Sequence, residues 1–100
     1  LNGEADGVPA LHSGIGEAEW EAVFFAAYEH FCARVDRDEE TIIDPYASES
    51  PGEFFAVLTE SFFEIPDVVA DEYPALYKLF SRFYRQDPLA REMKAASGAQ

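Results

Sequence analysis

This sequence predicts a mainly α-helical fold, about three helices behind an irregular N-terminal loop, and three observations carry the prediction. Apolar side chains recur at i, i+3, i+4 and i+7 in three separate segments. Ser50-Pro51 and Tyr73-Pro74 each set a proline where a helix would begin, at the position whose N–H a helix leaves unused. The 100 residues are 48% hydrophobic and 15% aromatic, enough to drive a folded core rather than a disordered chain.

Residues 1–16 carry Gly3, Gly7, Pro9, Gly14 and Gly16, a density of helix breakers that reads as a loop. The first helix is expected over 17–35. Trp20, Val23, Phe24, Ala27, Tyr28, Phe31 and Val35 form its apolar stripe, and Glu17, Glu19 and Glu21 lie near the positive end of its dipole. Residues 36–49 form a polar connection in which Thr41-Ile42-Ile43 suggests a brief strand or extended segment. The second helix is expected over 51–65, with Ser50 as N-cap, Pro51 at the first position and Glu53 at the third, in the order of a capping box. Pro66 ends or kinks it, and a short helical turn is expected at 67–72. The third helix is expected over 74–86, stopped by Asp87-Pro88. The expected core comprises Trp20, Phe24, Phe31, Phe55, Leu58, Phe62, Leu79, Phe80 and Phe83. The reading is therefore one piece of a single domain: loop 1–16, helical core 17–88 and tail 89–100.

Charge narrows the function. The formal net charge is −13, and residues 1–72 hold eighteen of the twenty acids but only Arg34 and Arg37 as bases. Such a surface repels phosphate backbones, so nucleic acid is not an expected partner. No apolar run approaches the roughly 20 residues needed to cross a bilayer, so no membrane contact is expected either. The single Cys32 permits no internal disulfide and fits a reducing compartment. It lies beside the apolar stripe and reads as a small core residue.

Few residues offer chemistry. Neither His12 nor His30 is followed by glutamate, so the chain contains no H-E-x-x-H, and both read as surface or packing histidines. Glu53 has two readings. From spacing alone it completes the capping box with Ser50. Yet a carboxylate on an otherwise apolar helix is also what a zinc site uses as its third protein ligand. Glu60, two turns further on nearly the same face, reads most simply as an exposed helix carboxylate.

Long strings in the chain carry a resemblance. Asp44 to Pro66 reads D-P-Y-A-S-E-S-P-G-E-F-F-A-V-L-T-E-S-F-F-E-I-P, followed by E-Y-P-A-L-Y and F-Y-R-Q-D-P, and Leu1-Asn2-Gly3 precedes A-D-G-V-P. Together these resemble the C-terminal part of the Mlc titration factor A family, over nearly the whole chain. The resemblance implies a zincin-like domain similar to anthrax lethal factor, in a cytoplasmic zinc peptidase of aminopeptidase type. Some members bind the repressor Mlc. It also implies that Glu53 matches the downstream glutamate ligand of zinc, and that Tyr46 matches the tyrosine facing the reacting carbonyl. On that basis Glu53 is expected to be a ligand rather than a cap.

The chain departs from the family pattern in lacking both histidine ligands and the general-base glutamate, which in the family would lie a few residues before Leu1. With no initiating methionine, it reads as a piece of a longer protein. Two expectations of different class follow: a peptidase fragment that supplies one zinc ligand and a wall of the peptide site, or a non-catalytic interaction module that binds a transcriptional repressor. Zinc is expected in the intact parent. The 100-residue chain alone is expected neither to bind zinc tightly nor to cleave peptides, since catalytic zinc uses three protein ligands. Calorimetric titration of zinc into the isolated chain, with a peptidase assay alongside, checks this; submicromolar one-to-one binding with metal-dependent cleavage would contradict it.

Overall fold

The computed structural model describes Pro9, Leu11 and residues 14–91, and among them every regular element is helical. Helix α1 spans Glu17–Asp36, a 3-10 turn spans Pro45–Ser48, and α2 spans Pro51–Glu64. Helix α3 spans Pro66–Glu72 and α4 spans Pro74–Tyr84, with a further helical turn at 88–91. The expectations for residues 1–8, 10, 12, 13 and 92–100 lie outside the described residues.

The helix starts follow local chemistry. Ser50 is extended (φ −164°, ψ 160°), and its hydroxyl accepts from the Glu53 N–H at 3.1 Å, capping α2 as expected. Pro51, Pro66 and Pro74 stand at the first positions of α2, α3 and α4. Ile65 ends α2 and caps α3; Tyr73 ends α3 and caps α4. The short turn expected at 67–72 is thus a full helix entered through Pro66.

The helix ends follow a rule without a glycine signature. Asp38 (φ 58°) and Arg85 (φ 55°) take the left-handed conformation after α1 and α4. At each, the amide of the next residue bonds back five positions: Glu39 N to Arg34 O at 3.0 Å, and Gln86 N to Ser81 O at 3.0 Å. These are Schellman closures, which usually employ glycine. Arg85 therefore ends α4 at Tyr84, before the Asp87-Pro88 stop that the sequence suggests, and Pro88 begins the helical turn at 88–91 instead.

The Thr41–Ile43 segment is a bend and not a strand. The Thr41 hydroxyl donates to the Ile43 carbonyl at 2.6 Å, Ile43 is buried and Ile42 is 68% exposed. No strand is present among the described residues to pair with it.

The core is aromatic. Trp20 of α1 stacks on Phe24 (5.8 Å between centroids) and on Phe80 of α4 (5.6 Å), and meets Phe55 of α2 (5.9 Å) and Phe83 of α4 (5.2 Å) near edge-on. Phe62 extends the cluster to Tyr77, Phe80 and Tyr84. Eight of the nine expected core residues are buried; Phe83 is partly exposed and packs against the rim of the core. Beyond the helix stripes, the core takes in Ile43, Ala47, Val69 and Tyr73. Arg82 of α4 donates to the Gly14 carbonyl at 2.8 Å and to Glu19 at 2.9 Å, tying the far end of the chain to the start of α1.

These contacts set an order of sensitivity. Trp20→Ala is expected to cost about 3–5 kcal/mol, since a large ring shared by three helices leaves a cavity. Ser50→Ala is expected to cost about 1 kcal/mol through one lost cap. Urea unfolding of the two variants checks the ranking, which equal costs would contradict.

Candidate functional site

Two short-range features bring Tyr46 and Glu53 together. Asp44 starts the 3-10 turn, its carboxylate accepting from the Tyr46 N–H at 3.0 Å, and the Ser48 hydroxyl closes the turn on the Pro45 carbonyl at 2.9 Å. Within the turn, Ala47 faces the core and is fully buried, which directs Tyr46, 53% exposed, to the outside. Two residues later Ser50 starts α2 and sets Glu53, partly buried, in its first turn.

The Tyr46 phenol is within electrostatic reach of the Glu53 carboxylate. Its pKa is raised above the ordinary value, first by the negative charge of Glu53, then by slight desolvation, a hydrogen bond to Glu53 and the charge of Glu49. At the start of α2 the Glu53 N–H is capped by the Ser50 hydroxyl, and the Glu53 carboxylate is the main influence on the Tyr46 phenol. A protonated phenol beside a carboxylate is an acceptor–donor pair that can hold a cation and donate to an oxygen bearing developing charge.

The other candidates lie elsewhere. Glu60 is exposed. The His30 Nδ1 is 3.0 Å from the Tyr73 hydroxyl, with the two rings edge-to-face at 5.6 Å. Arg34 donates to the same hydroxyl at 3.4 Å and to Glu72 at 2.8 Å. These residues join α1 to α3 and α4, apart from the Tyr46–Glu53 pair. His30, Glu72 and Tyr73 also line an open groove of about 480 Å3, otherwise walled by Ala22, Val23, Ala26 and neighbouring apolar residues. His12 lies outside the described residues. Among the described residues, no three His, Cys, Asp or Glu side chains gather to hold a metal ion.

Sequence reasoning missed what holds the 3-10 turn. The Tyr28 hydroxyl of α1 donates to the Ser48 carbonyl at 3.1 Å, and the Cys32 thiol points to the same carbonyl at 3.7 Å. Cys32 is thus only partly buried and has a polar contact, rather than serving as simple core filling. The signal was present: a tyrosine on an apolar helix stripe brings a hydroxyl that needs a partner.

With this geometry in place, similarity to known proteins is informative. The sequence profile of the family described as glucose-regulated metallo-peptidase M90 matches residues 1–85. The chain belongs to the M90 metallopeptidase family. Over 91 residues it is 43% identical to the Mlc titration factor A of Serratia proteamaculans, which covers 89% of this chain and 34% of that protein. The Mlc titration factor A of Pectobacterium atrosepticum is 41% identical over 92 residues, covering 90% of this chain and 34% of the relative. That of Yersinia pestis is 41% identical over 91 residues, with 89% and 33% covered. The M90 chain therefore spans about a third of the length of these curated relatives. Among its described residues, no helix is long and apolar enough to cross a membrane.

The tyrosines also fix a pH response. Burial chiefly raises Tyr28, to about 12, with Cys32 and Glu49 adding to it. Tyr73 and Tyr77 are raised first by burial as well, and Tyr46 by Glu53. A phenol with a raised folded-state pKa holds its proton more tightly folded than unfolded. Its contribution to stability is complete below the ordinary value of 10.0 and is lost as pH rises toward about 12. The urea midpoint of the M90 chain is therefore expected to fall between about pH 9 and about pH 11.5, and to fall less in Tyr28→Phe. A midpoint that rises over that window would contradict it.

Proposed function

We propose that this chain supplies the carboxylate arm and the carbonyl-facing tyrosine of the zinc site in a cytoplasmic peptidase of aminopeptidase type. The observation that carries the reading is the electrostatic coupling of the exposed Tyr46 phenol to Glu53, seven residues away in sequence and in the first turn of α2. Two histidines with one glutamate are an established donor set for catalytic zinc. Glu53 fits the glutamate position, and the histidines and general base would come from an H-E-x-x-H segment outside this chain. Bound zinc would polarise the scissile carbonyl and activate water. Glu53 would hold the ion from the first turn of α2. Tyr46, a phenol and therefore protonated at neutral pH, would donate to the carbonyl oxygen as negative charge develops on it. The substrate class is a peptide bound against this wall.

A second reading has one observation in its favour: the relatives are named as titration factors of Mlc. On that reading the acidic, aromatic surface binds a transcriptional repressor. The two readings separate on whether an H-E-x-x-H segment accompanies the chain in the full protein.

In the full-length protein, Glu53→Ala is expected to remove zinc and peptidase activity together. Tyr46→Phe is expected to retain zinc and lower kcat by about 10²–10³, the range for losing an oxyanion donor. Metal analysis and steady-state kinetics read both outcomes. A Glu53→Ala protein with full zinc and full activity would return Glu53 to a purely structural role.

A further inference from the structure

Tyr28 touches both segments that carry the site. Its ring lies edge-to-face on Phe54, at 5.3 Å and 64°, and Phe54 adjoins Glu53. Its hydroxyl donates to the Ser48 carbonyl, two residues beyond Tyr46. The internal bonds of the 3-10 turn, Tyr46 N to Asp44 and Ser48 Oγ to the Pro45 carbonyl, give the turn its shape. They do not fix where it stands against α2, because both partners of each bond belong to the turn itself or its first flanking residue. Buried Ala47 fixes the turn's inner side. The polar contacts reaching the turn from α1 come from Tyr28 and, at 3.7 Å, from Cys32 one helical turn later.

We propose that Tyr28 is a positioning residue that holds the Tyr46 hydroxyl in register with the Glu53 carboxylate, by bracing α2 through Phe54 while it anchors the 3-10 turn through the Ser48 carbonyl. The catalytic half of this inference rests on the zinc-peptidase reading above; the structural half does not. Tyr28→Phe separates the two contacts, since the ring keeps its place on Phe54 and only the donor is lost. A displaced catalytic group slows the chemical step without weakening the binding of the ground state.

The test uses the full-length protein. Tyr28→Phe is expected to lower kcat by about three- to tenfold at nearly constant KM and unchanged zinc content. Native-state hydrogen exchange is expected to quicken about tenfold at the Ala47 and Glu49 amides, which bond within the turn, and to stay unchanged at amides in the middle of α2. Cys32→Ala, which removes the weaker contact to the same carbonyl, is expected to produce the same pattern at about twofold in kcat. Normal kcat and normal exchange at residues 47 and 49, in whichever of the two variants folds, would overturn the proposal. So would exchange that quickens equally throughout the chain, because that marks general destabilisation. If Tyr46→Phe retains full kcat while Tyr28→Phe loosens the turn, the zinc-peptidase role of Tyr46 fails and the structural brace stands.

Discussion

The shared packing of Trp20 is the constraint on which the arrangement depends. One indole meets aromatic rings from α2 and α4 as well as its own helix, so the three longer helices are referenced to a single side chain. The aromatic cluster supplies area and also directionality, because stacked and edge-on rings fix orientation more closely than aliphatic contacts do. The same stripe of α1 that carries Trp20 and Phe24 continues one turn later to Tyr28 and Phe31. The core and the support of the site are therefore consecutive stretches of one helix face.

Much of this was legible in the residues, and the boundary between the legible and the hidden is physical. The start of α2 could be read because Ser50, Pro51 and Glu53 act on one another within three positions. The ends of α1 and α4 were harder, because Asp38 and Arg85 adopt a left-handed conformation that sequence normally signals with glycine or asparagine. Ile42 and Ile43 looked alike as letters; only the tertiary core decides that Ile43 is buried and Ile42 exposed. In the site, Tyr46 and Glu53 were both singled out, but spacing could not show the charge of Glu53 acting on the Tyr46 phenol across seven residues. Tyr28 and Ser48 are twenty residues apart, and no local rule connects a helix-stripe hydroxyl to one particular carbonyl across that distance.

The acidic character also looks different once its geometry is known. Arg34, one of only two bases in the first 72 residues, is largely enclosed, with a side chain 16% exposed beside Glu72 at 19%. Its pKa is raised first by the hydrogen bond to Glu72 and then by that to Tyr73. Enclosed ion pairs of this kind add little net stability over apolar packing but penalise misplacement heavily. Here the pair pins the end of α1 to the junction of α3 and α4, so scarce positive charge is used for alignment inside an acidic surface.

The junctions at Ile65 and Tyr73 have a consequence for how the chain can vary in length. Each is a single residue that finishes one helix and begins the next, with proline immediately after it. No slack exists there to absorb an insertion or deletion. One residue gained or lost inside α4 near its start would turn the downstream part by about 100°, carrying Phe80 away from Trp20. The stretch from Pro51 to Tyr84 therefore behaves as a gauge of fixed length, whereas a residue added or removed at 37–43 meets a backbone that bends without helical phase to preserve.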